Sequence, residues 1–128
     1  MVLSQSEIDQ IFEEIHKKLI NLYKENDQAG IFSYYHPDAV VIYPGKFIKY
    51  GEEEIKAEIK LWAEDSMGGY KIIPSKRVAT TDGEFLIEQG VFEVTRPNGD
   101  IMHSDFETIY KKIDGKYVIY RDWFKIRE

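Results

Sequence analysis

From Thr81 to Arg127 the chain reads TDGEFLIEQGVFEVTRPNGDIMHSDFETIYKKIDGKYVIYRDWFKIR, and this stretch decides the fold. Three turn signals punctuate it: Thr81-Asp82-Gly83, Arg96-Pro97-Asn98-Gly99 and Asp114-Gly115, the last a favoured two-residue hairpin turn. The runs between them are rich in β-branched and aromatic residues. They predict strands near Glu84–Thr95, Asp100–Ile113 and Lys116–Arg127, with another near Tyr70–Thr80 ahead of the first turn. Connections this short make each strand antiparallel to its predecessor.

Upstream the period changes from two to 3.6. Ile8, Ile11, Phe12, Ile15, Leu19, Leu22 and Tyr23 recur at helical spacing, with Glu13, Glu14, Lys17, Lys18 and Lys24 on the other face. Ser4 and Glu7 have the spacing of a capping box, and Asn26-Asp27 offers an end to this helix and a cap for the next. A short second helix is expected to carry Ile31, Phe32 and Tyr35 inward until His36-Pro37 stops it, because a residue before proline avoids helical geometry. Ala39-Val40-Val41-Ile42-Tyr43, halted by Pro44-Gly45, and Phe47-Ile48-Lys49-Tyr50 read as a small hairpin. Glu52, Glu53 and Glu54 then crowd the start of a third helix, where the macrodipole favours anions; Ile55, Ile59 and Trp62 share its inner face, and Gly68-Gly69 ends it.

At 128 residues the chain has the length of a single domain, 1–128, with no linker or repeat inside it. Its 43% hydrophobic and 31% charged residues supply a core large enough to offset ordering entropy, which excludes a disordered chain. The net charge of −6 repels phosphate backbones and argues against nucleic-acid binding. With no cysteine there is neither a disulfide framework nor a zinc–thiolate site. The first residues lack the basic start and apolar run of a signal peptide, and no later segment approaches membrane-spanning length, so a soluble cytoplasmic protein without a membrane partner is expected.

Three helices enclosing a hairpin, followed by a four-stranded meander, is the element order of the nuclear transport factor 2-like fold. Residues 36–45, HPDAVVIYPG, resemble the first strand of its SnoaL-like and ketosteroid-isomerase-like branches, and residues 50–55, YGEEEI, their entry to the third helix. Residues 114–122, DGKYVIYRD, look like their closing hairpin and last strand. The resemblance implies an α+β domain, a cystatin-like roll in which a cone-shaped antiparallel sheet is closed by three helices. Its concave face would line a pocket and its convex face would form a homodimer. Alternation then sends Leu86, Glu88, Gly90, Phe92 and Val94 inward on one strand, Ser104, Phe106, Thr108 and Tyr110 on the next, and Tyr120, Asp122 and Phe124 on the last. Val91, Ile109 and Ile119 face outward, where a second copy would cover them.

Two carboxylates, Glu88 and Asp122, are thereby placed in an aromatic cavity. Desolvation and mutual repulsion raise the pKa of such groups, which suits general acid–base work near neutral pH. The competing reading has each accept hydrogen bonds from neighbouring Tyr or Trp groups and fix the shape of the sheet. Tyr43, Trp62, Phe92, Phe106, Thr108, Tyr110, Tyr120 and Phe124 complete the expected pocket and fit a small apolar or aromatic molecule. By the resemblance, Tyr43, Leu19 and Phe106 stand where ketosteroid isomerases keep their catalytic aspartate, tyrosine and second aspartate, which argues against steroid isomerisation. His16 is expected near the helix surface, His36 at the helix stop and His103 outward beside Asp105, too scattered for a metal motif. No phosphate-cradling loop, nucleotide fingerprint or serine-hydrolase elbow is present, so no cofactor is implied. Two functions follow. One is a homodimeric pocket protein, with proton-transfer chemistry of isomerase, cyclase, dehydratase or hydrolase type at Glu88 or Asp122. The other is a non-catalytic interaction or oligomerisation module of the same fold.

Overall fold

The computed structural model describes residues 2–127. Its elements in chain order are α1 (Gln5–Lys24), α2 (Gln28–Phe32), β1 (Tyr35–Tyr43), β2 (Phe47–Tyr50), α3 (Glu52–Asp65), β3 (Gly69–Ala79), β4 (Phe85–Thr95), β5 (Ile101–Ile113) and β6 (Lys116–Ile126). The capping box starts α1: the Glu7 amide donates to Ser4 Oγ at 3.1 Å, and the Ser4 amide donates to Glu7 Oε1 at 3.0 Å. Asp27 caps α2 by accepting from the Gly30 amide at 2.9 Å. Gly51 holds φ +90° ahead of α3, a conformation that a side chain resists, and so turns the chain sharply from β2 into the helix.

The second helix is shorter than expected, ending at Phe32. Tyr35 begins a strand that continues through His36-Pro37, because the extended geometry favoured before proline suits a strand as well as it ends a helix. Pro37 falls where the pairing of β1 with β6 breaks register, between Tyr35 and Val40, so its missing N–H costs no ladder bond. The third helix also ends early, at Asp65 with Ser66 as cap, ahead of the two glycines.

The six strands form one sheet in the order β2-β1-β6-β5-β4-β3. All neighbours are antiparallel except β1 and β6, which run parallel and seat the early hairpin beside the last strand. The sheet is curved and unclosed. Irregularities in β3 around Ser75 and in β6 at Tyr120 supply extra residues, which bend a strand and increase its twist. Helix α1 presses Ile8, Phe12, Ile15 and Leu19 toward the concave face, and α3 adds Ile55 and Ile59. At Gly90, paired with Pro74 just before the β3 irregularity, a Cβ would run into the Ile73 carbonyl and come within 2.9 Å of Pro74 Cα.

The bulge at Tyr120 corrects one strand assignment. Ile109 pairs with Arg121 but Tyr110 pairs with Ile119, so Tyr120 is the extra residue. Ile119, expected outside, is turned inward and buried. Tyr120, expected inside, lies edge-on to His36 with ring centroids 4.9 Å apart, under the Lys111 ammonium. Alternation carried back from Asp122 toward the Asp114-Gly115 turn does not foresee the bulge, which reverses the facing of the residues between it and the turn.

Candidate active site

A cavity of about 150 Å³ opens between the concave face of the sheet and the helices. Its walls include Trp62, Phe92, Phe106, Thr108, Tyr110 and Phe124 of the expected set, together with both carboxylates, Glu88 and Asp122. Leu19 and Phe106 contribute apolar wall. Phe92 and Phe106 stack with centroids 4.1 Å apart and planes 8° from parallel. Tyr43 and Tyr120 are not among the lining residues. Tyr43 packs on Phe124 at 4.7 Å and Phe47 at 5.6 Å, backing the wall from outside.

Register sets the two carboxylates. Glu88 pairs with Thr108 and Thr108 with Asp122, so the three form one row across β4, β5 and β6 on the concave face. Neighbouring strands lie about 4.8 Å apart, which puts roughly 10 Å between the Glu88 and Asp122 backbones. The environments at the two ends of this row differ.

Asp122 is buried among uncharged groups. Tyr35 donates its hydroxyl to Oδ2 at 2.9 Å and Thr108 donates to Oδ1 at 3.3 Å. Desolvation pushes its carboxyl up from the ordinary 3.8 to about 6, against the opposing pull of these hydrogen bonds and of the Arg121 charge. The Tyr35 phenol is pushed well above its usual range by burial and by the Asp122 charge, so it stays a neutral donor. Burial likewise raises Tyr70 and Tyr110, which keeps the cavity's phenols protonated. A carboxyl near 6 with a fixed phenolic donor can take up and release a proton around neutrality.

Glu88 is 1% exposed and ion-paired. Arg77 Nε donates to its Oε2 at 2.7 Å, while Arg77 Nη1 donates to Glu13 at 2.9 Å and the guanidinium lies over the Phe12 ring. Arg77 faces inward because of the irregularity at Ser75: Tyr70 and Ile72 line the cavity ahead of it, and the phase reverses so that Arg77 and Ala79 pair with the inward Glu88 and Leu86 behind it.

His16, expected near the helix surface, belongs instead to the buried face of α1. It is 6% exposed, lines the cavity, and directs Nε2 at Glu88 Oε2, 2.8 Å away. Oε1 lies 2.7 Å from the same nitrogen, within Coulombic reach but off the N–H axis. Among the described residues neither Glu88 Oε1 nor His16 Nδ1 has a hydrogen-bond partner, and each such buried orphan costs about 1–3 kcal/mol. The signal was present in the sequence: His16 follows Phe12 by four and precedes Leu19 by three, which places it on the buried face, and its ring stacks on Phe12 at 5.9 Å. His103 sits apart from the cavity, 3.2 Å from Glu93. Among the described residues no group of three His, Asp or Glu side chains could hold a metal ion, and no helix is long and apolar enough to cross a membrane.

Solved structures share this architecture. An NTF-2-like protein of unknown function from Shewanella oneidensis MR-1 is 20% identical with a TM-score of 0.77, over 91% of this chain and 98% of that one. A ketosteroid isomerase-like protein from Erwinia carotovora atroseptica is 14% identical with a TM-score of 0.75, over 98% and 99%. The epoxide hydrolase/cyclase-like enzyme SalBIII, of pyran ring formation in the polyether salinomycin, is 17% identical with a TM-score of 0.65, over 93% and 92%. The chain therefore has the nuclear transport factor 2-like fold. No protein-family model matches the chain, and no curated protein matches it by sequence.

Proposed function

We propose that the cavity binds a small, largely apolar molecule and that Asp122, paired with the Tyr35 phenol, is the proton-transfer group that acts on it. The observation that carries this reading is a single buried carboxyl raised to about 6 inside an aromatic wall, with a protonated phenol 2.9 Å away. Of the two carboxylates expected from sequence, Asp122 suits acid–base work, since the charge of Glu88 is committed to Arg77 and His16. The reaction class is a proton shift of isomerase, cyclase, dehydratase or hydrolase type. Neighbours described as isomerase-like and cyclase-like lend that class support.

The test is thermal-shift and calorimetric profiling against a metabolite panel, with product analysis of each binder. The reading expects saturable binding, and turnover that Asp122→Asn abolishes while binding persists. A cavity that takes up nothing, or turnover untouched by Asp122→Asn, would contradict it.

We also propose that the convex face pairs with a second copy. Val91 and Ile109 stand there half-buried, next to Ile87 and the 42%-exposed Ile73, while Ile119 no longer contributes. Light scattering at micromolar concentration is expected to give twice the chain mass, reduced to the chain mass by Ile109→Glu; a monomeric wild type contradicts it.

A further inference from the structure

Tyr110 lines the cavity from an interior strand, paired with Leu86 on one side and Ile119 on the other. It is 3% exposed, and among the described residues its hydroxyl makes no hydrogen bond to another group. We infer that Tyr110 selects the ligand by donating this hydroxyl hydrogen to a neutral acceptor oxygen, which makes the ligand a small carbonyl compound. The inference rests on the cavity being a small-molecule site, as proposed above.

Among the described residues the sealed polar atoms that lack a partner are His16 Nδ1 and Glu88 Oε1, and the Tyr110 oxygen is not one of them. Without a partner in the protein and not sealed by it, that oxygen meets the cavity the ring lines. Its place is fixed before a ligand arrives, since β5 is paired on both sides and the ring lies edge-on to Phe12 at 5.6 Å. Burial, and after it the charges of Glu88 and Asp122, push the phenol well above its usual range, so it keeps its hydrogen. Thr108, the donor to Asp122, precedes Tyr110 by two on β5 and shares its face, about 7 Å away along the strand. One small molecule can therefore reach both ends of this row.

A ligand that enters displaces water from this donor, and a buried O–H left unmet weakens binding. The ligand must therefore return a lone pair. A hydrocarbon has none, and an ammonium group brings only hydrogens. A carboxylate has lone pairs but faces the charge of Asp122 once that group ionises, above about pH 6. A hydroxyl can accept, yet it brings a hydrogen of its own, and the other unpartnered hydroxyls of the wall, on Tyr23 and Tyr70, are phenols that burial keeps protonated. A carbonyl oxygen accepts without adding a donor or a charge. The stacked Phe92 and Phe106 offer the body of the ligand a flat wall, and about 150 Å³ matches the size known to admit benzene, so single-ring probes suit the cavity.

The experiment compares acetophenone, its alkene isostere α-methylstyrene and the matching alcohol, 1-phenylethanol, by calorimetry on the full chain. The proteins are the wild type, Tyr110→Phe and the double variant Tyr23→Phe/Tyr70→Phe. Tyr110→Phe removes one oxygen and keeps the ring that packs on Phe12. The affinity ratio of ketone to alkene should fall about tenfold in Tyr110→Phe, the worth of one hydrogen bond, and stay within about threefold of the wild type in the double variant. The alcohol should bind the wild type more weakly than the ketone. In parallel, the carbonyl stretch of bound acetophenone should lie at lower frequency in the wild type than in Tyr110→Phe, a shift that a change of packing alone would not produce. A ratio that falls by less than about threefold in Tyr110→Phe, or that collapses in the double variant instead, overturns the role of Tyr110 and leaves the cavity reading standing. Tighter binding of the alcohol than of the ketone overturns the carbonyl class. No binding of any probe overturns both readings.

Discussion

Replacing Asp122 by asparagine keeps the shape of the side chain and removes its charge. The amide oxygen can still accept from Tyr35, and the amide nitrogen can face Thr108 Oγ1, the two groups that now hold the carboxylate. A rise from 3.8 to about 6, at about 1.4 kcal/mol for each tenfold in proton affinity, means that ionising Asp122 costs the folded state up to about 3 kcal/mol. The sign follows from which state holds the proton. Below about pH 4 the carboxyl is protonated in both the folded and unfolded chains and contributes nothing. Between about 4 and 6 the unfolded chain releases the proton while the folded chain retains it, so stability falls as pH rises through that window. Above 6 the penalty is constant. Urea denaturation of wild type and Asp122→Asn at a series of pH values reads the difference directly, because every other titrating group cancels. The variant should gain on the wild type by up to about 3 kcal/mol between pH 4 and pH 7.5, or roughly 10 °C in relative Tm, whatever fixed offset the amide introduces. A difference constant across that range to within about 0.5 kcal/mol would refute the reasoning, since surface substitutions vary by no more than that.

Tyr35→Phe removes a hydrogen bond that opposes the upward push on Asp122, so the upper edge of the same pH window should move above 6; an unchanged edge would show that the phenol does not hold the carboxylate. Arg77→Met leaves Glu88 buried with His16 as its one partner and should cost about 3–5 kcal/mol by urea denaturation, whereas a loss under about 1 kcal/mol would mean that Glu88 reaches water. Gly90→Ala drives a methyl against the Ile73 carbonyl and Pro74, and should lower stability by about 1–3 kcal/mol; a neutral result would show that β3 yields there.

The meander was legible because Asp82-Gly83, Asn98-Gly99 and Asp114-Gly115 carry their own geometry, and each has its glycine at positive φ. The row Glu88, Thr108, Asp122 was legible too, since those positions lie between the bulges, where alternation holds. The bulges themselves were not. Ser75 and Tyr120 carry no composition signal, yet the first brings Arg77 inward and the second exchanges Tyr120 for Ile119. Tyr35 was expected inward, but on a helix; its role as donor to Asp122 depends on the parallel pairing of β1 with β6, a contact between residues 87 apart that no local pattern reveals. His16 was missed for another reason. A histidine is polar enough to be assigned to a helix surface, and only the i, i+4 relation to Phe12 and the approach of Glu88 from the sheet show that it is core.

The account turns on the proton affinity of one carboxyl. Titration of the Asp122 ¹³Cγ resonance in the folded, ligand-free protein measures it without assay or substrate. A midpoint near 6, moving higher in Tyr35→Phe, is the predicted result. A midpoint at or below about 4, the range of an exposed aspartate, would contradict it.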